Sequence, residues 1–157
     1  MKRIFIISLM CLAALGMQAQ KCAVLDFMYD DGISSEDVDG ISYIFRSNFH
    51  PKDYTIVERT LINKTIDELG YKRSDMTLQQ ILHVGRTLEA SIIVVGNIGK
   101  FMDEYNVDVR VINVATGNTV VSDGSSFQRT DYRSSMKKTA KNIVSRVTNR
   151  FASGDDD

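Results

Sequence analysis

What this chain of 157 residues lacks narrows its chemistry first. It has no tryptophan, one proline and only two histidines, His50 and His83. Neither histidine stands at a zinc-ligand spacing from the other or from Cys22, so no metal site is expected. There is no Gly-x-Ser-x-Gly elbow and no phosphate loop, which leaves nucleophilic catalysis without a recognisable motif. A formal charge of −1, without a clustered basic surface, gives no reason to expect nucleic acid as a partner. Long apolar runs are also missing. The longest, residues 4–15, falls short of the roughly 20 residues that a membrane-spanning helix needs.

That apolar run has another reading. Lys2 and Arg3 precede it and the small-residue stretch 16–19 follows it, the three parts of an export signal, so residues 1–19 read as a cleaved leader. The mature chain then starts near Gln20 with a formal charge of −3, once Lys2 and Arg3 are lost. Lys21 precedes Cys22 where a lipoprotein signal wants a small residue, so no lipid anchor is expected there. Cys11 leaves with the leader, and Cys22 remains alone in an oxidising compartment with no internal disulfide partner. It reads as a small buried residue at the start of a strand, with pairing between chains as the second reading.

The mature chain is long enough for one core and not two. Residues 91–100, SIIVVGNIGK, carry four aliphatics without a polar break, the mark of a central strand buried on both faces. Residues 22–27 read as a first strand and 28–33 as a loop. Val38, Ile41, Phe45 and Phe49 then mark a helix capped by Ser34 or Ser35 and stopped at His50-Pro51. Residues 54–58 give a second strand, and Thr60 is placed to cap a helix with Leu61, Ile62, Ile66 and Leu69 inward and Gly70 closing it. Thr77 and Gln80 make a capping-box pattern for a third helix with Leu78, Ile81, Leu82, Gly85 and Leu88 inward. Residues 105–114 alternate as an antiparallel strand, the turn at Thr116-Gly117-Asn118 leads to a weaker edge strand over 119–127, and an amphipathic helix from Tyr132 to Phe151, capped by Thr130 or Asp131, closes the chain. The fold class is therefore α/β: a single three-layer-type domain over 20–152, with a mixed sheet in β-α-β-α-α-β-β-β-α order and a disordered acidic tail at 153–157.

Candidate sites compete with simpler explanations. Asp30 and Asp31, near Glu36, Asp37 and Asp39, lack the spacing of a calcium loop, and acids at a helix start are accounted for by its dipole. His83 reads as a helix-face residue, and the basic residues of the closing helix as its water-facing side, though such a helix could also rest on an anionic membrane. No catalytic, cofactor or metal residue is therefore expected.

Four segments in order, CAVLDF, TIVERTLINKTIDELG, VGRTLEASIIVVGNI and YNVDVRVINVATGNTVV, resemble the CsgG-like family of bacterial envelope proteins across nearly the whole mature chain. The resemblance implies a periplasmic α/β domain, related to the curli secretion channel subunit and similar to the lipoprotein activators of penicillin-binding proteins. It also implies an accessory role, not an enzyme. The connections at 101–104 and 115–118 are too short to carry membrane-spanning hairpins, so the pore is not carried over. A partner from the envelope is then expected, with at most peripheral contact at the outer membrane. It would bind the sheet edge at Thr119, Val121, Asp123 and Phe127, or the groove beside the first helix with Asp30 and Asp31. A self-assembling oligomer is the alternative, and a small hydrolase using His83 the third reading.

Overall fold

The computed structural model describes residues 19–152, with side chains to Asn149. The expected leader up to residue 18, the tail at 153–157 and the side chain of Phe151 lie outside these. The order is β1 (Gln20–Val24), β2 (Met28–Tyr29), α1 (Ser35–Asn48), β3 (Tyr54–Ile56), α2 (Arg59–Glu68), α3 (Leu78–Thr87), β4 (Ile92–Phe101), β5 (Glu104–Asn113), β6 (Thr119–Gln128), a 3-10 turn (Arg129–Asp131) and α4 (Tyr132–Ala152).

The strands form one mixed sheet in the order β3-β1-β4-β5-β6, with β2 also on β4. β1, β2 and β3 run parallel to their neighbours, and the pairs β4–β5 and β5–β6 are antiparallel. Residues 92–95 are buried on both sides, as the unbroken apolar run requires. On one face α1 and α4 pack Phe45, Phe49, Met136, Ala140 and Ile143 over Val24, Val94, Val107 and Val109. On the other, α2 and α3 pack Ile62, Ile66, Ile81 and Leu82 over Ala23, Ile93, Val95 and Ile112. The layers are unequal in extent. Beyond Val95 and Ile112 the α2–α3 layer stops, and Asn97, Asn106, Asp108, Arg110, Ser122 and Ser126 face water.

Several local expectations hold. Ser34 caps α1 by accepting from Asp37 N–H, and Thr77 and Gln80 form both bonds of the capping box. Gly70 and Gly117 hold φ of +71° and +76° where helix and hairpin need a left-handed residue.

Others are corrected. The first strand breaks at Val24: Val24 pairs with Val94 but Met28 with Asn97, so four steps on one strand match three on its neighbour. The extra residue lies within 25–27, and the expected loop at 28–33 instead starts with β2. The Phe27 N–H freed by this bulge donates to the buried Ser42 hydroxyl. Phe27 itself lies against Gly96, where an added Cβ would sit 2.5 Å from the ring, so glycine is what permits the crossing. Thr60 does not cap α2. The sheet holds the chain to Val57, whose N–H donates to Cys22 O, and the helix closes its first turn on Glu58. That register leaves Leu61 half exposed, and Leu78 at the start of α3 likewise faces out.

Candidate functional site

The two most exposed large apolar side chains among the described residues stand together at one end of the molecule. β4 and β5 pair without interruption up to Phe101 and Glu104, so only Met102 and Asp103 remain for the turn. Such a turn wants glycine or asparagine at a positive φ. Met102 takes φ +54° instead, a conformation that costs a non-glycine residue about 1 kcal/mol. Its side chain is 80% exposed and that of Phe101 69%, more than any other large hydrophobic among the described residues. A strained turn that holds two apolar side chains out in water has no explanation within the fold.

Beside this tip is a hollow of about 120 Å³ lined by Glu36, Asp37, Gly40, Ile41, Tyr105, Phe127, Arg129 and Tyr132. It is the groove beside the first helix. Asp37, on the first turn of α1, accepts from the Tyr105 hydroxyl at 2.7 Å and from Arg129 Nε at 2.9 Å, so one carboxylate joins α1, β5 and the start of the closing segment. Burial pushes its carboxyl upward, but bonds from Tyr105 and Ser34 and the Arg129 pair outweigh this and hold it below its ordinary range. The same bond to Asp37, helped by burial, pushes the Tyr105 hydroxyl up. Tyr105 stacks on Phe127 at 6.1 Å, and Lys100 Nζ lies 5.1 Å from the Tyr105 ring.

Asp30 and Asp31 lie exposed at the same end. Asp30 N–H donates to Ile98 O, which fastens the loop to β4, and its carboxylate lies over Gly99, where a Cβ would be 3.2 Å away. No group of three or more His, Cys, Asp or Glu is placed to hold a metal among the described residues.

The other expected binding residues divide. Thr119 is exposed at the start of β6, whereas Val121 and Phe127 turn into the core. Asp123 is held by its own chain: it accepts from Asn142 and from Gly124 N–H. Arg146 donates to Ser122 O from α4. Ser122 O and Gly124 N–H, main-chain groups at the middle of this edge strand, thus already have partners.

Two further clusters serve the fold. At the end of β1, Asp26 accepts from Arg46 and, at 3.1 Å, from Arg59 Nη2, which also reaches Asp39 at 3.7 Å. Arg59, at the corner between β3 and α2, thus ties that corner to the end of β1. His83 is exposed and shares a 2.7 Å hydrogen bond with Tyr71. Cys22 is fully buried and burial pushes its thiol up, so in the folded chain it is inaccessible to a second chain.

Sequence reasoning missed Phe101, Met102, Tyr105 and Arg129 as site residues. The signal was present in the Phe-Met-Asp-Glu stretch, which joins the central apolar strand to the alternating one without the glycine or asparagine that a tight turn favours.

No protein-family model and no curated protein matches the sequence. Solved structures match the fold. The LpoB C-terminal domain from Salmonella enterica superposes with a TM-score of 0.55 at 16% identity, over 78% of this chain and 92% of that one. Lipoprotein GNA1162 from Neisseria meningitidis gives 0.58 at 11% identity, over 84% and 96%. TolB from Acinetobacter baumannii gives 0.55 at 15% identity, over 84% of this chain but 29% of its own length. At these identities the likeness is one of fold.

Proposed function

We propose that this chain is a non-catalytic accessory protein of the bacterial periplasm that docks an envelope protein at its hairpin end. The observation that carries this reading is the exposed Phe101–Met102 pair on a turn that Met102 enters at φ +54°. An aromatic and a thioether side chain held out on a rigid two-residue turn lose little conformational freedom on binding, which suits an anchor that fills a partner's pocket. The hollow beside it, with Glu36, Asp37 and Arg129 at its rim, supplies polar contacts around that anchor. Asp30 and Asp31 keep their proposed role here as the acidic side of the same surface, while the β6 edge gives up its role to the hairpin tip.

Fold likeness to the LpoB domain, of the penicillin-binding-protein activator lipoproteins, supports the control of wall synthesis over surface-fibre secretion as the pathway. Tyr71 as the hydrogen-bond partner of His83 supports an accessory role over hydrolysis, which needs a nucleophile against the imidazole. A photo-crosslinking residue placed at Met102, with a control at the exposed Lys64 of α2, tests the reading in intact cells. One dominant envelope protein captured from Met102 and missing from Lys64 is the expected result. The same capture pattern from both positions would overturn it.

A further inference from the structure

The sheet carries three layers over one half and two over the other. On the side away from α1 and α4, the distal parts of β4, β5 and β6 present Asn97, Asn106, Asp108, Arg110, Ser122 and Ser126 to water. A shallow depression of about 710 Å³ runs across this face between Met28 and Gly124. Its carboxylates are seated: Asp108 lies over Gly124, where a Cβ would be 2.8 Å from Oδ1, and Asp30 lies over Gly99 on the same face. With Glu104 they set three carboxylates against one guanidinium, that of Arg110.

The opposite outer surface is α4, whose 21 residues include no acidic one. Lys137, Lys138 and Lys141 are exposed on its outer side and Arg133 on its first turn. None of these four cations, and none of Asp30, Glu104, Asp108 and Arg110, takes part in an ion pair among the described residues. The two surfaces lie on opposite sides of the same strands, so they cannot meet within one chain.

We propose that a second copy of this chain supplies the missing layer: the basic side of α4 of one copy covers the acidic open sheet face of the next. The charges match in sign, and a helix of 21 residues, about 31 Å long, spans the open strands. Lysine stems would lie along the open face beside Asn97 and Asn106 while their ammonium groups reach Asp30 and Asp108. The contact is head to tail, so it propagates into a filament or closes into a ring. Three strands at ordinary spacing offer roughly 300–400 Å² per partner, which puts the contact among weak and salt-sensitive ones.

Sedimentation equilibrium of the purified protein tests this. In low salt the weight-average mass should climb with concentration and return to one chain at about 0.5 M salt. K137E/K141E, with an acidic helix, and D30K/D108K, with a basic sheet face, should each weaken association about tenfold. Mixed together they should recover it, because each variant's altered surface then meets its complement. Thermal melting checks that both fold, and the single variant K137E on the exposed helix surface gives a milder version of the same comparison. A single-chain mass at every concentration in low salt, or no recovery on mixing the folded variants, overturns the proposal. So does a K137E/K141E variant that associates normally and loses only binding to phosphatidylglycerol vesicles, which would make the basic side a lipid-facing one.

Discussion

The parallel and antiparallel halves of the sheet are built from similar strands but solve different problems. In the parallel half, β1 and the start of β4 are buried on both faces, so Ala23, Val24, Ile93 and Val94 have no exposed surface to speak of and no freedom to be anything but apolar. In the antiparallel half, β5 alternates buried and exposed residues, and the exposed set is polar. Cover is what differs. Where both faces are covered, residues are chosen by packing alone, and where one is open, side chains are left for other work. The tip of the β4–β5 hairpin and the open face, two of the surfaces to which binding is assigned above, both belong to the second half.

Substitution in the covered half should do the most damage. Phe27 is buried, touches Phe45 at 5.3 Å between ring centroids and lies on Gly96, so Phe27→Ala should cost about 3–5 kcal/mol in chemical denaturation. Gly96→Ala should cost about 1–3 kcal/mol by overpacking, and less beside Phe27→Leu, which makes room. The matching changes on the open face, Asn106→Ala and Asp108→Asn, should stay within about 0.5 kcal/mol. Comparable losses in the two sets would mean that the open face is structural after all.

The contrast also explains what could be read before the fold was seen. The apolar run at 92–95 declares burial on both faces because no polar residue interrupts it, and the alternation at 105–111 declares one open face. The layer order followed from these two patterns. Hidden were features that depend on what lies opposite in space: the bulge at 25–27, which exists because β4 is one residue shorter over the paired stretch, and the seating of Asp30 and Asp108 over glycines of other strands. Gly124 reads as a weakness in its strand, and Gly99 as a close backbone approach or a bulge at the end of the central one. Only register shows that each clears space for a carboxylate. β6 is the edge strand that the sequence leads one to expect, but its parity turns the side chains of Val121 and Phe127 inward.

At the junction of the two halves, Asp37 gives an intermediate effect. Asp37→Ala removes the acceptor of Tyr105 and Arg129 and should cost about 2–3 kcal/mol. Because its folded carboxyl is held below the ordinary range, the contribution is present above the unfolded value, about pH 4, and fades as pH falls through the folded one. Denaturation of wild type and Asp37→Ala across the acid range should therefore converge.

The alkaline side separates the buried thiol from the phenols by chemistry. Burial pushes Cys22, in the covered half, well up, and a raised value gives stability that is complete below the unfolded thiol at about pH 8.5 and lost above it. Tyr54 is pushed up to about 12 by burial, and Tyr105 is raised through Asp37, so these two begin to count only above the unfolded phenol at about pH 10. Between about pH 8.5 and 10 wild type should lose about 1.4 kcal/mol per pH unit, and Cys22→Ala should be nearly flat there. An equal slope in both would place the titrating group elsewhere.

A small expected change in stability is the sharpest probe of the open half. Met102→Gly relieves a positive φ that glycine adopts freely, so the folded state should gain about 1 kcal/mol, less what a more flexible unfolded chain takes back. If the turn existed only to reverse the chain, glycine would be the better residue there on every measure. If the exposed side chain anchors a partner, the same substitution should raise the melting temperature slightly and abolish capture of that partner. Phe101→Ala, at 69% exposure, should leave melting nearly unchanged and weaken capture as well. Stability and binding then move in opposite directions at one residue, an outcome that a purely structural role for Met102 cannot produce.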